Sequence, residues 1–213
     1  MGKTVSRCVI FCAGPVADVA ALRPLLRKDD TVWAADGGWR LAQRMGLTPS
    51  CLVADFDSMP PPDLPEEVTV HRLPVRKDMT DAAAAAQVAY DKGFREFLLL
   101  GALGGRLDHQ YGAVLLAVDL ARKGCAVSLA DERNEIAVFT ASPADLTPRQ
   151  GYKVSLFAFG GPVLGLTVRG LAYELENYDL SPYDPLCVSN EFTDEPPRVT
   201  FREGTLLLFY SKD

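Results

Sequence analysis

The chain has only two histidines and five cysteines in 213 residues. Two histidines cannot build a His-rich metal centre. The cysteines (Cys8, Cys12, Cys51, Cys125 and Cys187) are odd in number, scattered, and free of any Cys-x-x-Cys pair. Several lie in apolar runs, which predicts reduced core thiols in a cytoplasmic protein rather than a disulfide framework. No stretch is long and apolar enough to span a bilayer, so no membrane partner is expected. Positive charge is also scarce: 22 Lys and Arg stand against 28 Asp and Glu, a net charge of −6. General nucleic-acid binders usually carry a basic face, so a nucleic-acid partner is not expected. A nucleotide substrate remains compatible, because a metal ion and a few local cations can meet its charge. The phosphate-binding signatures Gly-x-x-x-x-Gly-Lys-Ser/Thr and Gly-x-Gly-x-x-Gly are absent.

The acidic residues, in contrast, are patterned. Asp55-Phe56-Asp57-Ser58 follows the apolar run Cys51–Ala54, and Lys77-Asp78-Met79-Thr80-Asp81 opens an alanine-rich stretch. In an extended segment residues i and i+2 point the same way, so Asp55 and Asp57 are expected to aim at one point beyond a strand end. On a first helical turn i and i+3 share a face, which predicts the same for Asp78 and Asp81. Carboxylates this close repel unless a cation joins them. Mg²⁺ takes such oxygen ligands, usually together with substrate phosphates. The four aspartates therefore point to metal-assisted phosphate chemistry.

Strand and helix patterns alternate over residues 1–133. Strands are predicted at Arg7–Cys12, Thr31–Ala35, Cys51–Ala54, Val68–Leu73, Glu96–Leu100 and Ala126–Ala130. Helices are predicted near Val16–Arg27, Trp39–Met45, Thr80–Lys92 and Asp108–Lys123. Short apolar strands between helices imply an α/β domain with a mostly parallel sheet. Ligands of such sheets bind beyond the carboxyl ends of the strands, where these polar motifs fall. Residues 134–213 lack strong helices. They carry strand-like runs at Glu135–Thr140, Lys153–Phe159, Leu164–Val168, Ala172–Leu175, Leu186–Val188, Arg198–Phe201 and Thr205–Tyr210, which predicts a C-terminal β-sandwich.

Two glycine motifs sit on the expected edge. Asp36-Gly37-Gly38 joins a strand to a helix; its glycines allow close backbone approach to a phosphate or sugar, or serve a tight turn. Gly101-Ala102-Leu103-Gly104-Gly105-Arg106-Leu107-Asp108-His109 is more specific. Arg106 offers a planar fork of donors to phosphate oxygens. Asp108 is expected to cap the helix, bond a ligand or hold Arg106, and His109 is the weaker candidate. Trp33 and Trp39 flank the Asp36 turn, with core packing the default expectation.

Taken in order, these motifs resemble the thiamine pyrophosphokinase family. The resemblance rests on Asp36-Gly37-Gly38, Gly46-Leu47-Thr48-Pro49, Asp55-Phe56-Asp57-Ser58, Lys77-Asp78-Met79-Thr80-Asp81 and the Gly101–His109 run. Gly170-Leu171-Ala172-Tyr173 and Ser189-Asn190 follow in the second half. It implies transfer of pyrophosphate from ATP to the thiamine hydroxyl, an ATP- and Mg²⁺-binding domain over residues 1–133, and a thiamine-binding domain over residues 134–213. It also implies a homodimer with a shared active site, to which Ser189 and Asn190 bring thiamine contacts. Within that frame Asp55, Asp57, Asp78 and Asp81 hold Mg²⁺, and Lys77 and Arg106 hold phosphate oxygens. The nucleotide is held by Asp36, Gly37, Gly38, Thr80, Gly101, Gly104, Gly105, Asp108 and His109. The chain departs from the pattern at Ala54, where the family has Gly, and at Ala113, where it usually has Asn; Gln110 is the neighbouring polar substitute. The alternatives are a haloacid-dehalogenase-like phosphatase, with Asp55 as nucleophile, and a non-catalytic nucleotide or thiamine sensor.

Overall fold

The computed structural model describes residues 6–57, 63–74 and 78–213. The chain forms two compact units, Met1–Ala117 with Cys125–Glu132, and Val118–Gly124 with Arg133–Asp213.

The first unit is built on a parallel sheet. Its strands are β1 (Cys8–Phe11), β2 (Thr31–Ala35), β3 (Cys51–Ala54), β4 (Thr69–Arg72), β5 (Glu96–Leu100) and β6 (Ala126–Ala130). They lie in the order β4-β3-β2-β1-β5-β6, each pair parallel. β1 and β3 are buried along their whole length, as apolar strands covered on both faces must be. The connecting helices are α1 (Gly38–Arg44), α2 (Asp81–Asp91) and α3 (Leu107–Arg122). α2 packs on β1, β2 and β3 through Ala84, Ala85, Ala86 and Ala89, whose small side chains let helix and sheet approach closely. All five cysteines are free and buried. Trp33 meets Phe94 edge-on at 5.8 Å, and Trp39 belongs to the core that also holds Phe11, Leu52 and Leu100. Both tryptophans thus serve packing.

One expected helix is different. Residues Val16–Arg27 form only a 3₁₀ segment, Ala20–Leu25. Pro24 lies inside it and cannot donate to an α-helical bond. Asp18 Oδ1 instead accepts from the Ala20 and Ala21 amides, holding the turn.

The second unit is a sandwich of two antiparallel sheets. β7 (Asn134–Phe139), β8 (Lys153–Ala158) and β12 (Leu206–Ser211) form one, in the order β7-β12-β8. β9 (Val163–Arg169), β10 (Leu175–Leu180) and β11 (Arg198–Thr200) form the other, in the order β10-β9-β11. Val154, Leu156, Leu206 and Leu208 from the first meet Val163, Leu166, Val168 and Val199 from the second in one core. β8 alternates buried and half-exposed residues with the period of a strand covered on one face.

Two expected strands are absent. Leu186–Val188 is a turn, closed by the Leu186 amide on Asp184 Oδ1 and the Val188 amide on Pro185 O. At Ala172–Leu175 the chain bends, and the strand begins only at Leu175. β10 reads Leu-Glu-Asn-Tyr-Asp-Leu, too polar to signal a strand. Its register against β9 shifts around Asn177, which sits at φ 48°.

The junction between β1 and α1 leaves no room for a side chain. A Cβ on Gly38 would lie 1.9 Å from Phe11 O and 2.8 Å from Cys12 N, both backbone atoms of the central strand and the loop that leaves it. At Gly46 the φ of +70° is the only obstacle, since a Cβ there would meet nothing within 4 Å. Gly38→Ala should therefore lose more than about 4 kcal/mol of stability or fail to fold. Gly46→Ala should lose only about 1–2 kcal/mol. Chemical denaturation of both variants checks the contrast.

Candidate active site

Four loops leave the carboxyl end of the parallel sheet and carry the polar motifs. After β1 the chain runs through Cys12, Ala13 and Gly14. The Cys12 amide donates to Leu100 O at 2.7 Å and the Gly14 amide to Gly101 O at 2.8 Å, which binds the β1 loop to the β5 loop. A Cβ on Gly14 would stand 2.3 Å from Gly101 O, so only glycine permits this contact. After β2, Asp36 takes φ 43°; its amide donates to Val53 O, and its carbonyl accepts from the Trp39 amide at the start of α1.

A cavity of about 410 Å³ opens at this edge. Asp36, Thr80, Asp81, Gly101, Gly104, Arg106 and His109 line it, together with Ala113 of α3. Cys12, Ala13, Gly14 and Pro15 also line it. The glycine and small-residue loop after β1 was the available signal for this last group, and its lack of charge hid it. The Cys12 thiol donates to Ile10 O, and burial, followed by the charge of Asp81, pushes its pKa up to about 12. It is a neutral wall at physiological pH and not a nucleophile.

The aspartates reach this edge by other routes than strand alternation and helical spacing. Phe56 takes φ 59°, and Asp55 Oδ1 accepts from the Asp57 amide at 3.1 Å, so Asp55–Asp57 is a turn and not an extended segment. The Phe56 ring packs on the core, with the Arg72 guanidinium 5.0 Å from its centroid. α2 begins at Asp81 with Thr80 as N-cap, its hydroxyl accepting from the Ala83 amide at 3.2 Å. Asp78 lies before the cap and not on the first helical turn, so the Asp78–Asp81 relation is set by the cap. Among the described residues no three or more His, Cys, Asp or Glu form a ready-made metal cage. The donors present, all hard carboxylate oxygens, fit Mg²⁺ bound through one or two carboxylates and substrate phosphates. Lys77 and Ser58 lie outside the described residues.

Of the three roles open to Asp108, the structure shows two: its Oδ1 accepts from the His109 amide in the first turn of α3 at 3.0 Å, and its carboxylate holds Arg106. Arg106 Nε donates to Oδ1 at 3.1 Å and Nη2 to Oδ2 at 2.6 Å, a two-pronged ion pair in solvent. The hydrogen bond from Arg106 holds the Asp108 carboxyl below its ordinary pKa, and the same bond raises that of Arg106. α3 starts one residue earlier than expected, at Leu107. Gln110 does not replace the side chain missing at Ala113: its amide donates to Gly105 O at 3.3 Å, while Ala113 itself lines the cavity. Gly37, Gly38 and Gly105 shape the surrounding backbone without lining the cavity, and Asp55 is half-buried beside an exposed Asp57.

Ser189 and Asn190 belong to the second unit. Ser189 is at φ 60°, its amide donating to Ser155 Oγ at 3.0 Å. Asn190 is buried, and its amide bonds the backbone of Tyr173.

Comparison with known proteins matches both halves. Residues 22–129 match the profile of the thiamin pyrophosphokinase catalytic domain, and residues 144–206 match that of the thiamin pyrophosphokinase vitamin B1 binding domain. The thiamine pyrophosphokinase of Bacillus subtilis (strain 168) is 26% identical over 191 residues, covering 87% of this chain and 89% of its own. A solved thiamin pyrophosphokinase from Geobacillus thermodenitrificans superposes with a TM-score of 0.82 at 28% identity, over 97% of this chain and 98% of its own. The solved Bacillus subtilis structure, at 24% identity, gives a TM-score of 0.85 over 98% and 100% of the two chains and attests the shared fold. With both profiles matched in order, the catalytic one alone spanning half the sequence, the chain belongs to the thiamine pyrophosphokinase family.

Proposed function

We propose that the chain transfers pyrophosphate from ATP to the hydroxyl of thiamine, giving thiamine diphosphate and AMP. The observation that carries this reading is the match of a catalytic profile to one half and a thiamine-binding profile to the other; Asp36, Thr80, Asp81, Gly101, Gly104, Arg106 and His109 of the first half line one cavity, which supports it. Neither a phosphatase nor a sensor is favoured by these matches. The first unit is read as the ATP-binding, catalytic half and the second as the thiamine-binding half. Incubation with ATP, Mg²⁺ and thiamine, with products identified by mass, tests it.

Transfer of this kind needs positioning and charge neutralisation more than covalent help. The thiamine oxygen attacks the β-phosphorus in line, and AMP leaves from the far side. Asp55, Asp57, Asp78 and Asp81 would hold Mg²⁺, which when bound neutralises phosphate charge. One of these aspartates accepts the proton of the attacking alcohol as it becomes acidic. Arg106, exposed and already forked onto one carboxylate, is built to exchange that partner for phosphate oxygens. Lys77 adds a point charge. Asp36, Gly37 and Gly38, with Thr80 and the Gly101–Gly105 turn, form the nucleotide floor; Asp108 and His109 close its helix side. Ser189 and Asn190 serve thiamine. No helix of the described residues is long and apolar enough to cross a membrane. A cytoplasmic location suits the reduced, buried cysteines.

The reading includes a homodimer. Catalytic aspartates and Ser189 sit in different units, and a two-fold axis can bring one subunit's sandwich to the other's catalytic half.

Asp57→Asn should keep the fold and lower kcat by at least about 100-fold. Mg²⁺ removal by a chelator should do the same reversibly. A loss of only a few-fold in steady-state assays would contradict the metal role.

Arg106→Lys should raise the KM for ATP by about tenfold, because a point charge cannot replace two parallel donors. Unchanged kinetics would place Arg106 outside the phosphate site.

Asp57→Asn and Ser189→Ala chains, each impaired alone, should recover part of their activity when mixed and allowed to exchange. Light scattering that shows a monomer, or no recovery after confirmed exchange, would speak against a shared site.

A further inference from the structure

The lining of the first unit's cavity divides into two chemistries. Asp36, Asp81 and Arg106 carry charge, whereas the side chains of Ala13, Pro15, Ala82, Ala102 and Ala113 present only carbon. The charged group suits the phosphates, their metal ion and the ribose of a nucleoside triphosphate. Those parts are the same in ATP, GTP, CTP and UTP. The base is what differs among them, and the wall left for it is apolar.

Reading a base edge takes a side chain that sets a donor beside an acceptor, above all the carboxamide of Asn or Gln. Residues 1–117 and 125–132, the first unit, contain no asparagine and three glutamines. Gln43 is exposed on α1. Gln87 donates to Asp91 Oδ1 within α2 at 2.9 Å, and Gln110 donates to Gly105 O at 3.3 Å. None of the three lines the cavity. The other polar side chains are ill suited to the task. The Thr80 hydroxyl oxygen accepts from the Ala83 amide, and Arg106 is forked onto Asp108. His109 is exposed, where water competes for its ring nitrogens.

Ala113 is the position on which this turns. It lies one helical turn beyond His109 on α3, is only 9% exposed, and lines the cavity with a methyl group. Selection by apolar fit separates related ligands by about 10–200-fold, whereas a site that hydrogen-bonds its ligand rejects a mismatched one by about 10⁴–10⁵-fold.

We propose that Ala113 sets the donor range of the enzyme: the α3 wall leaves the base unread, so ATP, GTP, CTP and UTP all serve as pyrophosphate donors, held by triphosphate and ribose. This rests on the reading of the first unit as the nucleotide-binding, catalytic half.

The test is steady-state transfer to thiamine from each of the four triphosphates with Mg²⁺, together with calorimetry of their α,β-methylene analogues on the full-length protein. The four kcat/KM values, and the four analogue affinities, should lie within about 30-fold of one another. Ala113→Asn adds a donor and an acceptor, and should move the ratio between at least two of the bases by about tenfold, the worth of one hydrogen bond to a buried group. Ala113→Val adds volume alone and should weaken all four analogues by similar factors. The KM for thiamine should stay within about twofold in both. If Ala113→Asn does not fold, Ala113→Ser carries the same arm with a smaller hydroxyl. A wild-type preference of about 1,000-fold or more for one base would overturn the inference, since main chain or another side chain would then be reading it. Unchanged ratios in a folded Ala113→Asn or Ala113→Ser protein would also overturn it, placing the base away from α3. Either result leaves the proposed function intact. Failure of all four triphosphates to deliver pyrophosphate to thiamine would instead sink the proposed function.

Discussion

The catalytic half depends on a backbone contact with no space for a single methyl group. The loop after β1 lies against the loop after β5, with the Gly14 amide bonded to Gly101 O, and α1 begins with Gly38 pressed on Phe11 O. Three strand ends are thereby drawn together before any polar side chain is placed. Asp36, Gly101, Gly104 and Thr80 then line one cavity, because β2 and β5 flank β1 in the parallel sheet and α2 packs across β1, β2 and β3. Glycine contributes here through what it leaves out. A side chain at Gly14 or Gly38 would separate the loops, and the cavity would lose its floor.

The parallel half was legible because its signals are local. β2, β3, β5 and β6 have the bounds that their apolar runs suggest, since such strands sit between helices whatever the rest of the chain does. The sandwich was read less well. Five of its strands follow alternating or apolar runs, but β10 is polar and is held by its pairing with β9, a long-range cause that no window of sequence displays. Leu186–Val188 looks like a strand by composition and is a turn because Asp184 closes it.

The site shows the same division. Residue types pointed to the aspartates, to Arg106 and to the glycine turn, whereas their geometry came from elsewhere. Left-handed Phe56 and the Thr80 cap bring in the carboxylates, where strand and helix periodicity had been the expected means. Atomic positions were needed to see that Asp108 holds Arg106 and also accepts from the His109 amide. Asn190 is the sharpest case. Its motif suggested a ligand contact, whereas its burial and its bonds to the Tyr173 backbone are visible only in atomic positions.

The central claim is that two phosphates leave ATP together, by attack at the β-phosphorus. Label tracing asks this most directly. With thiamine and Mg²⁺, ATP labelled at the γ-phosphorus should deliver its label to thiamine diphosphate, and ATP labelled at the α-phosphorus should deliver it to AMP. Recovery of the γ-label as inorganic phosphate, or in thiamine monophosphate, would contradict the account.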